Sequence, residues 1–574
     1  MYLLNFYLGL ALAFGPLTLC WTPSAAAHKR GGEQQELKDK LGAVASESTV
    51  CSNVGIDLIM DGGNAADALV GTVFCIGVIG MYHSGLGGGG FMIVRGSNGS
   101  YEFIDFREKA PAAAFTNMYN NDTDLSLYGG LASGVPGELR GLEYLHKHYG
   151  KLPWAHVMGP AINVARNGFI VTQDLVDYEE EAIGSGPNFL AENPNFAVDF
   201  APNGTLLGLN ETITRQRYAD TLETISKRGA DAFYTGPIAN ATIQALKAAN
   251  GMMTLEDLKN YTVAIRKPAQ ITYRDYKLTA CSAPSSGTVA LSVMKTIEGY
   301  SEIGEAATLN LSTHRLDEAI RFAYGERAYL GDPLFVPGVD EYQQEMLNET
   351  TAEAVRSKIS DFHTLNVSAY DPTGLESTTT HGTSHIVTAD ASGMAVSLTT
   401  TVNLLFGSQL VVPETGVIMN NEMNDFSIPN QSNAFGYAPS PANFIEPGKR
   451  PLSSISPTIV EYLKNGTLYF VIGSAGGSRI ITATVQNLWH VLDQNETVKE
   501  SLAEPRLHDQ LIPNTVSFEY AYNNETTAFM KSLGHNVTWV APGLSTAQGL
   551  RRLPNGTFEA AGEPRQHNSG GFAI

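Results

Sequence analysis

The chain has 574 residues, 43% of them hydrophobic, which is enough for a large core; 57 glycines and a charged fraction of only 17% describe a loop-rich globular protein, not a disordered one. A net charge of −21, with no run of Lys or Arg, excludes nucleic acid and other polyanions as partners. A small anionic substrate would need a dedicated arginine against that background.

Residues 2–21, YLLNFYLGLALAFGPLTLCW, form an uncharged apolar run, and the small residues at 22–28 suit cleavage after Ala27. This predicts a signal peptide over 1–27. An uncleaved anchor is the alternative, disfavoured because the nearest basic residues, Lys29 and Arg30, follow the run instead of preceding it. Sequons at Asn98, Asn121, Asn203, Asn210, Asn240, Asn366, Asn465, Asn524 and Asn536 agree with a glycosylated secreted chain. A vacuolar lumen, or a membrane anchor with the body outside, are the other compartments. Of the 4 cysteines, Cys20 lies in the leader, Cys51 and Cys75 flank a predicted helix and turn and are the candidate disulfide, and Cys281 remains as a buried thiol. None has metal-ligand spacing.

Val54, Leu58 and Ile59 make a helical stripe that ends at Asp61-Gly62-Gly63, and Asn64 caps a second helix from Ala65 to about Gly77. The run His83-Ser84-Gly85-Leu86-Gly87-Gly88-Gly89-Gly90 then precedes a strand. A dinucleotide loop follows a strand and opens a helix, so these glycines predict close backbone packing and not phosphate binding. Residues 101–108 alternate as a strand with Arg107 at its end; unaided, Arg107 reads as a surface pair with a neighbouring glutamate. Residues 130–260 read as mostly helical, with helices over 139–149 and 154–167 and a short one capped by Thr254. Residues 263–278 have β-character, 281–288 turn into a helix over 289–297, and 316–324 form an amphipathic helix.

From Ser384 onward strands dominate. Residues 385–390 and 394–401 read as a hairpin, and 469–472 as a buried strand ending in Gly473-Ser474-Ala475-Gly476-Gly477, followed by helices near 479–493 and 496–502. The expected architecture is layered, with strands sandwiched by helices and Thr383 at the head of a central strand.

Thr378-Thr379-Thr380-His381-Gly382-Thr383-Ser384-His385 leads into that strand. By itself it is a polar surface connection. Cleavage between Gly382 and Thr383 would change its meaning: Thr383 would then carry a hydroxyl nucleophile beside its own α-amine, a base titrating near pH 7.7–8. Before cleavage the same hydroxyl can attack the Gly382 carbonyl, giving an N-to-O acyl shift and then hydrolysis. His381 and His385 have the i, i+4 spacing of a helical metal site, but on a strand they do not converge. There is no Gly-x-Ser-x-Gly elbow for a serine hydrolase.

Gly382-Thr383-Ser384-His385 resembles the processing site of the γ-glutamyltranspeptidase family of N-terminal-nucleophile hydrolases. Matching motifs follow in order: 61–68, 84–89, Phe106-Arg107-Glu108, Pro136-Gly137, Gly331-Asp332-Pro333, 420–426, 447–454, 473–477 and Glu504-Pro505-Arg506. The resemblance implies a four-layer αββα sandwich built from two autoprocessed subunits, 28–382 and 383–574, that stay together as a heterodimer. It implies that Arg107, Ser453 and Ser454 hold an α-carboxylate, that Asn403, Glu422 and Asp425 accept an α-ammonium, and that the N–H groups of Gly476 and Gly477 form the oxyanion hole. Thr401 matches the family's second threonine, which positions the α-amine of the nucleophile. No cofactor or metal is implied. Expected substrates are glutathione and other γ-glutamyl compounds, with water, amino acids or dipeptides as acceptors. No nucleic acid partner is expected, and membrane contact only if the leader is retained. No long insertion separates Thr401 from Glu422, so the lid loop of some bacterial members is not expected. Two rivals are an amidohydrolase of the glutaryl-cephalosporin acylase type, which needs no ammonium site, and a catalytically dead secreted homologue.

Overall fold

Two antiparallel sheets face each other, and the computed structural model describes them within residues 39–370, 382–429 and 439–574. The predicted leader with Cys20 and the 378–381 part of the hydroxyl-rich stretch, including His381, lie outside the described residues. In chain order the strands are β1 (Gly42–Ser46), β2 (Gly89–Arg95), β3 (Tyr101–Asp105), β4 (Ala264–Arg266), β5 (Ala269–Tyr273), β6 (Tyr276–Ala280), β7 (Gly382–Asp390), β8 (Ala395–Asn403), β9 (Thr458–Tyr462), β10 (Leu468–Ala475), β11 (Thr546–Arg552), β12 (Phe558–Ala561) and β13 (Gly570–Ala573). One sheet has the order β13-β1-β7-β8-β2-β3-β4 and the other β12-β11-β10-β9-β6-β5.

Strand alternation builds the layers. Phe91, Ile93, Phe103 and Val387 point inward and meet Ile459, Val471 and Leu550 of the facing sheet. Their neighbours Met92, Val94, Ile386 and Leu398 point outward to α1 (Thr49–Met60), α2 (Ala65–Ile79), α3 (Trp154–Asn167) and α4 (Gln216–Arg228). On the far side, Leu278, Val460, Phe470 and Ile472 pack under α5 (Gly287–Ile297), α6 (Leu309–Arg327) and α7 (Arg479–Asp493). The result is the αββα sandwich.

Local chemistry sets the ends of the elements. The Asn64 side chain accepts from the N–H groups of Ala66 and Asp67, and Asp67 answers from within the helix to the Asn64 N–H, so α2 begins at a reciprocal cap. All of α2 is buried, and it runs two residues past the predicted end. The Cys51–Cys75 disulfide ties it to α1, and Cys281 is a buried free thiol. The glycine run does pack closely: a Cβ on Gly90 would stand 2.1 Å from the Thr399 carbonyl oxygen.

Residues 263–278, read as β in character, hold three strands, separated by Lys267-Pro268 and by a turn in which Arg274 takes a positive φ. Two elements run longer than predicted. Helix α6 spans 19 residues, far beyond 316–324. Strand β10 continues to Ala475, three residues past the predicted 469–472 run.

Candidate active site

Strands β7 and β8 pair with Thr383 opposite Thr401 and Gly382 opposite Asn403, and a bulge intervenes between Thr401 and Asn403. Such an irregularity ends regular pairing and re-aims side chains; here it turns Asn403 into a positive-φ conformation at the strand end. The Thr383 hydroxyl donates to Thr401 Oγ1 across 3.4 Å, and Thr401 donates in turn to the carbonyl oxygen of Gly382 at 2.6 Å. The N–H of Asn403 donates to Thr401 Oγ1 at 2.7 Å and fixes that hydroxyl in place. One hydroxyl thus bridges the candidate nucleophile and the carbonyl of the bond predicted to be cut.

Thr383 opens onto a small pocket whose lining includes Arg107, Arg327, Thr401, Asn403, Glu422, Asp425, Ser453, Ser454 and Gly477. Arg107 follows β3 and is 1% exposed, so it is not the surface residue its composition suggests. Its Nη1 donates to Glu422 Oε1 and its Nη2 to Asp425 Oδ2, while Glu108 Oε2 stands 3.9 Å away. Burial opposes the charge on Arg107, but the three carboxylates raise its pKa above that of an ordinary arginine. Burial likewise lifts Glu108 to about 8 and pushes Glu422 upward, with the Arg107 charge pulling both back down.

Glu422 Oε2 and Asp425 Oδ1 are buried and have no hydrogen-bond partner among the described residues. Asn403 commits its Nδ2 to the Asn421 carbonyl at 2.9 Å, and no donor to its Oδ1 is seen among the described residues. These acceptors share a pocket with Thr383 and match a donor-rich cation.

Ser453 and Ser454 are held from the outside. The Ser453 N–H donates to the Pro284 carbonyl at 2.8 Å, and Ser286 donates from its N–H to the Ile455 carbonyl at 2.8 Å and from its hydroxyl to the Ser453 carbonyl. The 281–288 turn is therefore the buttress of this loop. Gly476 and Gly477 have φ of 122° and 58°, conformations glycine tolerates, and neither N–H has an acceptor among the described residues. Gly477 lines the pocket; Gly476 precedes it outside the lining.

No sequence motif points to Arg327, which also lines the pocket. It ends α6, where a cation reads as an exposed partner of the helix dipole, yet it is buried. His385 lies elsewhere: its ring packs against Gly473 between the sheets, its Nδ1 meets Thr399 Oγ1 at 2.8 Å, and burial drives its pKa down to about 3. A separate buried cluster joins His314, Glu318 and His535. Its imidazoles are 2.7 Å apart and hydrogen-bonded, closer than the roughly 3.3 Å expected for two nitrogens on one tetrahedral zinc.

Comparisons with known proteins bear on the chain as a whole. A family model described as gamma-glutamyltranspeptidase matches residues 51–572. A glutathione hydrolase proenzyme of Arthroderma benhamiae is 57% identical over 548 residues, 93% of each chain. A glutathione hydrolase of Aspergillus flavus is 50% identical over 557 residues, covering 97% of this chain and 93% of its own. Among solved structures, a cephalosporin acylase from Bacillus halodurans superposes with a TM-score of 0.82 at 24% identity over 97% of this chain and 99% of its own, a likeness of fold. The γ-glutamyltranspeptidase of Helicobacter pylori is 32% identical with a TM-score of 0.51, over 54% of this chain and 90% of that one.

Proposed function

The chain belongs to the γ-glutamyltranspeptidase family, and from that premise we propose that it is a γ-glutamyltransferase and glutathione hydrolase, made as a proenzyme and cut between Gly382 and Thr383 into two subunits that remain a heterodimer. The observation that carries the reading is the pair of orphaned acceptors, Glu422 Oε2 and Asp425 Oδ1, in the pocket of Thr383. A γ-glutamyl group ends in a free α-ammonium with three N–H donors, and these oxygens with Asn403 match it. A glutaryl group has no cation to offer and would leave both oxygens unpaired, which disfavours the acylase alternative.

In self-cleavage, the Thr383 hydroxyl attacks the Gly382 carbonyl carbon. Thr401 stands where it can accept the Thr383 proton and stabilise the oxygen that gains charge. As the tetrahedral intermediate collapses, the Gly382–Thr383 C–N bond breaks, the nitrogen takes up that proton and becomes the free α-amine, and an ester on Thr383 Oγ1 remains, which water hydrolyses to free the hydroxyl and the Gly382 carboxylate. That amine then takes the hydroxyl proton as Thr383 attacks the γ-carbonyl of the substrate, and the Gly476 and Gly477 N–H groups receive the oxyanion. Collapse expels the amine of Cys-Gly, which takes the proton back, and leaves a γ-glutamyl ester. Water releases glutamate; an amino acid or dipeptide amine gives a new γ-glutamyl amide.

Secretion is part of the proposal. The sequon asparagines named above are all exposed, and the Cys51–Cys75 disulfide suits an oxidising compartment. Among the described residues no helix is long and apolar enough to cross a membrane.

The test is to express the full chain, sequence the N-terminus of the smaller fragment, and assay γ-glutamyl-p-nitroanilide beside Thr383→Ala. Two fragments, the smaller beginning at Thr383, with turnover abolished in the variant, are expected. A wild-type chain that stays uncut and inert would refute the enzyme; turnover of glutaryl but not γ-glutamyl anilide would establish the acylase instead.

A further inference from the structure

A second constellation of chemically capable side chains lies outside the pocket lining. His314 and Glu318 stand one turn apart on α6, and His535 lies in the turn after the Asn524–Ser532 helix; all three are buried. One ring nitrogen of each histidine and a Glu318 carboxylate oxygen lie within 4.8 Å of one another.

The hydrogen bonds decide which nitrogens are free. His314 Nε2 faces the Ser360 carbonyl oxygen at 2.7 Å. A carbonyl oxygen only accepts, so Nε2 carries the proton and Nδ1 presents a lone pair. That lone pair points at His535 Nε2, 2.7 Å away. On its other side, His535 Nδ1 stands 3.1 Å from Asp317 Oδ2, and neither Asp317 oxygen makes a hydrogen bond of regular geometry among the described residues. Each imidazole thus has an acceptor behind it and its other nitrogen turned to a common point. Metal-binding histidines are held in this way, with the far N–H on a carboxylate or backbone carbonyl and the near nitrogen on the ion. Glu318 is steadied likewise by the hydroxyls of Thr364 and Tyr370.

Charge leads to the same place. Asp317 and Glu318 are both buried. Arg321 is committed to Asp509 and Asn514, and Arg315 to Glu302 and Asp361. Two buried carboxylates are therefore left without a paired guanidinium, and one divalent ion balances both. Without an ion, a proton does part of that work: burial pushes Asp317 up to about 7, and a protonated Asp317 can donate to His535 Nδ1 while His535 Nε2–H donates to His314.

We propose that His314 Nδ1, His535 Nε2 and a Glu318 carboxylate oxygen bind a divalent transition-metal ion of the zinc class. Binding passes the Asp317 proton to His535 Nδ1 and expels the Nε2 proton, one proton released per ion, and parts the two ring nitrogens from 2.7 Å to about 3.3 Å. Two imidazoles with one carboxylate select such an ion over calcium and magnesium, which take oxygen ligands. His314 and Glu318 precede residue 382 and His535 follows it. The ion is therefore a staple between the two segments of the chain, independent of the substrate pocket.

The experiment titrates ZnCl2 into the untagged full-length protein, stripped with a chelator, by calorimetry at about pH 6 in two buffers of different ionisation enthalpy. One ion per chain with close to one proton released is expected, and calcium or magnesium should bind far more weakly. Asp317→Asn keeps all three ligands and loses the charge behind His535, so zinc affinity should fall about 10- to 100-fold. His314→Gln and His535→Gln should lose more than that. Zinc should also raise the melting temperature of the wild type, and EDTA should reverse the rise. Zinc that fails to bind the wild type at submillimolar concentration, that binds both histidine variants equally well, or that leaves the melting temperature unchanged overturns the proposal. Where the histidine variants do not fold, Co2+ in the wild type decides: the visible absorption of a tetrahedral ion with nitrogen ligands supports the site, and a colourless or octahedral-type spectrum refutes it.

Discussion

Thr401 offers the sharpest test of the proposed self-cleavage. Its hydroxyl donates to the Gly382 carbonyl oxygen at 2.6 Å and lies 3.4 Å from the attacking Thr383 oxygen, in a position 2% exposed. A buried donor aimed at an oxygen that gains charge typically lowers a barrier by about 2.7–4 kcal/mol. Thr401→Val keeps the shape and removes the donor, so maturation should slow roughly 10²- to 10³-fold. Thr401→Ser keeps the donor and should mature within a few-fold of wild type. Valine also removes the acceptor for the Asn403 N–H, a buried group whose loss of partner costs about 1–3 kcal/mol of stability. That contribution is measured separately, by melting the uncut form of Thr383→Ala with and without Thr401→Val. The maturation assay is a time course of purified precursor on denaturing gels at fixed pH. A valine variant that matures as fast as wild type would remove Thr401 from the cleavage step. A serine variant as slow as valine would show that the methyl group, not the hydroxyl, is what matters.

Two further predictions address the pocket and the interior. Glu422→Gln keeps the size and removes the charge facing the ammonium; kcat/KM for a γ-glutamyl anilide should fall about 30- to 1,000-fold, as for a broken buried charge pair, while turnover of a glutaryl anilide should change far less. Equal losses on both substrates would argue against an ammonium site there. Glu138, buried beneath Thr400 and Ser84, has its pKa pushed up to about 7 by burial, from an ordinary value of 4.5. Its folded form therefore prefers the proton: the stabilisation is full below pH 4.5 and is lost as pH rises through 7, an effect of up to about 3 kcal/mol. Glu138→Gln should raise the melting temperature at pH 8 and lose that advantage by pH 4.5; a difference that does not vary with pH would refute the assignment.

What was legible in the sequence follows from what periodicity can report. The hairpin of β7 and β8 was readable because its residues alternate and its turn contains Ser392-Gly393. Helix α6 was half readable because its interior is polar. His314, Arg315, Asp317, Glu318 and Arg321 are all buried, with Arg315 paired to Asp361 and Arg321 to Asp509. A hydrophobic pattern cannot register a face whose charges neutralise one another inside. Arg107 and Arg327 were obscured in the same way, since in sequence a buried cation looks like an exposed one. The motif resemblance recovered Arg107, and no motif reached Arg327. The roles of Glu422 and Asp425 had no local signal either, because they depend on a loop meeting the end of β3 more than 300 residues away in the chain.

The strand order also explains how one cut could activate the molecule without dismantling it. Strands β1 to β6 precede Gly382 and β7 to β13 begin with it or follow it, yet they interleave: β1 lies between β13 and β7, β8 pairs with β2, and β9 pairs with β6. Breaking the Gly382–Thr383 bond would leave all four of these seams hydrogen-bonded, together with the apolar layer between the sheets. The pocket is divided along the same line. Both cations, Arg107 and Arg327, come from the segment before the cut; Thr383, Asn403, Glu422, Asp425, Ser453, Ser454 and Gly477 come from the segment after it. On the proposed reading a substrate zwitterion would need both sets at once, so neither segment would have a binding site by itself. Interleaved sheets would thus make a cleaved proenzyme workable, because the backbone end to be freed sits inside a structure that the proposed cut would not release.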